Sequence, residues 1–307
     1  MPLTYLIAYF NDRIRESDFH ILPDEPLMQR AGQTVGRFAT LQLTSVFQPV
    51  ISVRQGGRVV GHEALLRAYT GDGRPLAPRA LLTAPASPRA IVYLDRLCRT
   101  VHMLNYLVQM ELDVSCLFLN VGTEHVLSIP DNHGWYFEEV LRRCGLTPEH
   151  IVIDVHASAI QGPHAGRVRA AFANYRARGY RVAIEGFVPI PSAIEALWHA
   201  RPDLVKLNVR CLLGANKDRE GKISQWVEML QHAGSEIIAT GVETLEQARA
   251  AASLGVDGLQ GQCLGTPAVG LGAPAPRQPR GHRGTEAGLW NRMRPVSRLT
   301  GRVQFCC

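Results

Sequence analysis

Glu63, Asn120, Asp154, Glu185, Lys206 and Gln260 each follow directly on a short apolar run, and Glu243 stands a few residues beyond another. The runs they close are residues 59–62, 117–119, 151–153, 182–184, 204–205 and 258–259, with 237–239 ahead of Glu243. Four carboxylates, an amide and a lysine brought to one place would make an oxygen-lined cage suited to a hard divalent cation such as Mg²⁺ or Mn²⁺. A lone carboxylate at a strand end is more often a helix cap or a salt-bridge partner. The repetition of polar groups at successive strand ends is what points to a shared site, because side chains there leave the packed interior and converge on one face of a barrel.

The elements that must position them are legible as alternating runs. Short apolar stretches at 47–53, 59–66, 116–121, 151–155, 182–184, 204–207, 237–239 and 258–260 are separated by longer amphipathic segments, the pattern of strands alternating with helices. The spacing predicts helices over 90–108, 136–144, 166–178, 190–199, 223–232 and 245–254, with Gly145, Gly179 and Gly255 as stops. In the first of these, Ile91, Leu94, Leu97, Val101, Leu104 and Val108 recur at three and four residues, which gives one core-facing stripe. Eight runs with helices between them fit a TIM-like (β/α)8 barrel better than an open sheet. One departure is expected: the first two runs follow each other through Gly56 and Gly57 as a hairpin.

The chain of 307 residues, 46% apolar, is long enough to bury one large core. Its first 40 residues lack sustained periodicity, with room for a short helix, so residues 1–43 read as a lead-in arm and 44–270 as the barrel domain. Residues 271–307 are rich in Gly, Pro and Arg and read as a disordered tail, set where a last barrel helix is expected, as a frameshifted or truncated end would be. Their arginines carry the whole formal excess of +6, and with no aromatics beyond Trp290 and Phe305 among them they read as a solvated charge run rather than a contact for DNA, RNA or a membrane. Seven cysteines, an odd number with no CxxC pair, indicate neither a disulfide framework nor a zinc site and suit a reducing cytoplasm. The apolar opening at residues 3–10 is too short to span a bilayer and lacks the flanks of a secretory signal.

The strings FQPV (47–50), EALLR (63–67), LDR (94–96), FLNV (118–121), VKLN (205–208), GVET (241–244) with Glu246 and Gln247, and LQG (259–261) occur in order. Together they resemble the EAL-domain cyclic di-GMP phosphodiesterases from about residue 44 to 267. The resemblance implies a barrel that hydrolyses one phosphodiester of cyclic di-GMP to the linear dinucleotide with Mg²⁺ or Mn²⁺. It implies Glu63, Asn120, Asp154, Glu185 and Glu243 as metal ligands, with Lys206 holding or polarising the attacking water and Glu243 also in the catalytic set. Gln48, Leu65, Arg67 and Gln260 would face the nucleotide. Proteins of this family pair through helices flanking the barrel, so a homodimer or a protein partner is implied as well.

Several positions depart from the family pattern. Asp154 and Glu185 exchange the family's glutamate and aspartate, Gly186 replaces the second of two adjacent aspartates, and Asn208 replaces an aspartate. His156 stands for a threonine, Ala157 for a glutamate that steadies a loop, and Thr240 for a further glutamate. These changes imply reduced turnover, with a second reading beside it: a catalytically inactive EAL domain that senses cyclic di-GMP or binds a protein.

Overall fold

The computed structural model describes residues 2–16, 25–77, 81, 85, 87–110, 115–129, 131–213 and 217–271. The disorder and reading-frame expectations for the basic tail fall beyond residue 271 and so lie outside the described residues. Helix α1 (Leu3–Glu16) leads into strands β1 (Leu27–Arg30), β2 (Gln33–Phe38), β3 (Leu41–Ser52), β4 (Val59–Tyr69) and β5 (Pro75–Leu76). There follow α2 (Pro88–Leu107), β6 (Cys116–Asn120), α3 (Thr123–Ser128), α4 (Trp135–Arg143), β7 (Ile151–His156), α5 (Ser158–Gln161) and α6 (Ala165–Ala177). The chain then forms β8 (Arg181–Phe187), α7 (Pro191–Ala200), β9 (Leu204–Asn208), α8 (Val209–Leu212), α9 (Lys217–His232), β10 (Glu236–Thr240), α10 (Leu245–Ser253) and β11 (Gly258–Leu259).

Strands β3, β4 and β6 to β11 close into an eight-stranded barrel. From β4 round to β11 the neighbours are parallel, whereas β3 runs antiparallel to both β4 and β11, so the hairpin expected from Gly56 and Gly57 is the one reversed step. Sequence patterning finds no strand before Phe47. The structure starts β3 at Leu41 and adds β2 and β1 to its outer edge, because Leu43 continues the buried alternation of Ser45, Phe47 and Pro49. Helix α1 also packs down, with Leu6, Ile7, Phe10 and Ile14 in the main core. Asn11 fixes its approach to β1 by exchanging two hydrogen bonds of 2.8 Å with the Leu27 backbone.

Local chemistry explains the helix ends. Ser87 caps α2 by accepting from the Ala90 N–H at 3.2 Å, and Pro88 supplies a preset φ at the first helical position. Its stripe buries Leu94, Leu97, Val101 and Leu104, each contributing on the order of 1.5–3 kcal/mol. Thr244 and Gln247 form a capping box on α10, and the Gln247 Oε1 that accepts from Thr244 also accepts from the Glu243 N–H at 2.7 Å. The cap therefore fixes the backbone of Glu243.

Two apolar layers result. The larger lies between barrel and helices; the smaller fills the barrel interior with Val50, Phe118, Val152, Ala183, Leu204 and Ile238. Strand side chains alternate faces, so the next inward position above each interior residue is two along the chain. Those positions are Asn120, Asp154, Glu185, Lys206 and Thr240, and polar residues thus form the layer directly above the apolar plug.

Candidate active site

Glu63, Asp154 and Glu185 each present a carboxylate oxygen within 4.8 Å of the other two. Lys206, only 2% exposed, bridges two of them, donating to Glu63 Oε2 at 2.8 Å and to Asp154 Oδ2 at 2.6 Å. Glu63 also accepts from Asn120 Nδ2 at 2.9 Å and Gln260 Nε2 at 2.6 Å. Because a carboxylate only accepts, Asn120 must turn its NH₂ toward Glu63, which leaves its carbonyl oxygen as the free end. Gln260 reaches Gln48 Oε1 at 3.5 Å, and Gln48 in turn donates to the Gly265 carbonyl at 2.9 Å.

The charges pull the three acids apart. Burial alone would raise the Glu63 carboxyl, but the Lys206 ammonium and the donors around it win and hold it below the ordinary glutamate value. Asp154 moves the other way: burial raises it, and the negative Glu185 and Glu63 add to that against Lys206. Glu185 is raised for the same reasons, burial first and then Glu63. Burial would lower the Lys206 pKa, yet its two carboxylate partners raise it, so the lysine stays charged. Three carboxylates against one ammonium leave a deficit of positive charge in a low-dielectric place.

The residues fit a divalent cation on two counts. The donor set is hard carboxylate oxygen, and Asp154 Oδ1 is buried with no hydrogen-bond partner among the described residues. Glu63, Asp154 and Glu185 would hold such an ion, with the Asn120 carbonyl beside them.

Two cavities meet at this trio, and Glu185 lines both. One, of about 300 Å³, is bounded by Gln48, Glu63, Gly186, Lys206, Glu243 and Gln260 among others. The second, of about 450 Å³, runs past Leu65, Arg67, Asn120, Asp154 and His156 to the side of α2. The four residues expected to face a nucleotide are thereby split, Gln48 and Gln260 on one side and Leu65 and Arg67 on the other. Arg67 donates one guanidinium N–H to the Leu66 carbonyl at 3.0 Å.

Not every expected residue joins the cluster. Glu243 lines the first cavity but is absent from the close carboxylate group; its side chain is 55% exposed and pairs with Arg210 at 3.3 Å. Asn208 caps α8 by accepting from the Arg210 N–H at 2.9 Å. Asp95 of the LDR string is buried in an ion pair with Arg99, with His125 Nδ1 3.3 Å away. Sequence reasoning missed Arg210, whose pairing with Glu243 joins helix α8 to the loop after β10, and the approach of His156 to Gly186, which depends on backbone conformation that no spacing reveals.

The family model for the EAL domain matches residues 34–267. The chain belongs to the EAL-domain family. Among curated proteins, none matches this EAL-domain chain. Among solved structures it is similar to Klebsiella pneumoniae BlrP1 in a complex with calcium and cyclic di-GMP, with TM-score 0.63, 22% identity, and coverage of 74% of this chain and 56% of that one. A standalone EAL protein from Vibrio cholerae, bound to cyclic di-GMP, gives TM-score 0.64 at 18% identity over 76% of this chain and 96% of that one. Bacillus subtilis YkuI, solved with cyclic di-GMP and calcium, gives 0.59 at 20% identity over 74% and 56%. The EAL-domain chain thus spans little more than half the length of BlrP1 and YkuI. At these identities the likeness shows the barrel fold. The free state of the five described cysteines and the lack, among described residues, of a helix long and apolar enough to cross a membrane complete the description.

Proposed function

We propose that this EAL domain binds cyclic di-GMP across its two cavities and hydrolyses one phosphodiester to the linear dinucleotide, at a low rate, with Mn²⁺ or Mg²⁺. The observation that carries this reading is the trio of Glu63, Asp154 and Glu185 at the barrel mouth, with Lys206 threaded between two of its members. A divalent cation there supplies the positive charge and water activation that attack on a phosphodiester needs. The protein's own part is positional. Glu63 is locked by three donors, Lys206 stands beside the reacting position as a fixed cation, and Gln48, Gln260, Leu65 and Arg67 hold the nucleotide on either side. An Arg at such a place grips phosphate in fork geometry.

The low rate follows from what stands around the trio. Glu243 faces Arg210 and solvent, Gly186 offers no side chain, and Asn208 is spent on a helix cap. In this proposal one cation is held well and Glu243 serves the cavity wall. The same observations support a second reading, a domain that binds cyclic di-GMP without turning it over. Incubating micromolar protein with cyclic di-GMP and Mn²⁺ or Mg²⁺ separates them: linear dinucleotide that disappears in Glu63→Ala supports the enzyme, and calcium-supported binding with no product after prolonged incubation supports the sensor. We further assign 44–270 as the working unit in the cytoplasm, with 1–43 leading in, 271–307 as a tail, and a second copy or another protein as partner.

A further inference from the structure

The ring of His156 lies over Gly186. A Cβ built on Gly186 would come within 2.6 Å of His156 Nε2, so the imidazole takes the space that any side chain at 186 would need. Gly186 has φ +65°, where a Cβ is disfavoured as well. The β7–β8 register sets His156 opposite Glu185, which places this contact at the rim of the carboxylate trio.

The ring's other nitrogen fixes its chemistry. His156 Nδ1 accepts from the Ser158 backbone N–H at 3.2 Å and lies 2.9 Å from Ser158 Oγ. A ring nitrogen that accepts from an amide carries no proton, so the neutral imidazole bears its hydrogen on Nε2. An Nε2 in that state has no lone pair for a cation and is a donor for an anion. Consistent with this, His156 does not belong to the close group of acids.

Its position gives that donor a role. His156 lines the larger cavity, Gly186 the smaller, and a ligand spanning both crosses between them. At the junction Lys206 gives two of its N–H groups to Glu63 and Asp154, and Asn120 and Gln260 each give one to Glu63. His156 Nε2 has no acceptor recorded among the described residues.

We propose that His156 is an anion-binding residue of this site, donating Nε2–H to a phosphate of the ligand as it passes over Gly186, and that Gly186 is the residue that makes room for the ring. The proposal rests on the reading that the site takes a cyclic dinucleotide, whose anionic groups are its two phosphates.

The test uses the full chain. Long-range ¹H–¹⁵N spectra of histidine-labelled protein at pH 8 should show His156 as the Nε2–H tautomer, and Mg²⁺ with inorganic phosphate should shift that resonance; an Nδ1–H tautomer, or no shift, overturns the proposal. Calorimetry with cyclic di-GMP and Ca²⁺ should find His156→Phe, which keeps a ring over Gly186 and removes the donor, about tenfold or more weaker than wild type. Mn²⁺ affinity, measured with the metal alone, should not change. Unchanged nucleotide affinity in His156→Phe, or weakened Mn²⁺ binding, overturns the anion role. Wild-type protein that fails to bind cyclic di-GMP refutes the proposed function, while the phosphate-dependent shift still decides the role of His156.

Discussion

At the scale of single residues, Lys206 is the keystone of the site. It is buried between Glu63 and Asp154, and removing one partner from a buried ion cluster leaves the others uncompensated. Lys206→Met is expected to lose about 3–5 kcal/mol of unfolding free energy, read from denaturant midpoints, and to eliminate product formation. An unchanged midpoint would mean that the carboxylates relax into water when the ammonium is gone. The residue scale is also where sequence reading reached furthest and then stopped. Asp154, Glu185 and Lys206 are legible because strand alternation dictates where a side chain two positions above Val152, Ala183 and Leu204 must point, and Glu63 and Gln260 because each closes a short apolar run. Glu243 is not, because it follows its strand through a loop, and a loop side chain takes its direction from local hydrogen bonds and from Arg210 rather than from any period.

At the scale of elements, the loops after β10 and β11 are pressed together at Gly261. A Cβ there would stand 2.1 Å from the Val242 carbonyl oxygen, a backbone atom that cannot swing aside. Gly261→Ala is expected to cost on the order of 3 kcal/mol and to weaken nucleotide binding by shifting Gln260, as followed by thermal melting and calorimetry. A second element-scale expectation concerns α2, whose His102 is buried against β3 with Nδ1 2.7 Å from Ser45 Oγ. Burial lowers its pKa to about 4, with Asp95 opposing. The folded chain thus refuses a proton that the unfolded chain takes up near pH 6.5, so the stability tied to the neutral ring is present above that pH and is lost as pH falls toward 4. The loss is up to about 3 kcal/mol, and His102→Asn should flatten the slope of melting temperature against pH in that window. Element positions were readable from caps and stripes: the helix expected at 90–108 is found as Pro88–Leu107, and that expected at 245–254 as Leu245–Ser253. β1 and β2 escaped because Leu27–Arg30 and Gln33–Phe38 carry too little apolar alternation to stand out; they are strands because β3 offers them an edge.

At the scale of the whole molecule, the barrel gathers net negative charge at one mouth, and binding a cation there should stabilise the fold by mass action. At Mn²⁺ a hundred times its dissociation constant the gain is about 2.7 kcal/mol, a rise of several degrees in melting temperature that Glu63→Gln should abolish. Removing residues 272–307 should leave cyclic di-GMP affinity as it was, because the residues proposed to hold the nucleotide and the cation all lie before 272. The reversed strand β3 has one more effect. Its Gln42 pairs with Tyr69 and its Ser52 with Gly258, so β3 begins at the mouth and runs down, while Leu271 meets Gln109 and His62, the residue just before Glu63. Gln48 and Glu63 face each other across that hairpin. A tug on the chain ahead of Leu41 is therefore delivered to the hairpin that carries Glu63, and a load on the segment after β11 reaches the same hairpin through Phe47, Gln48 and His62.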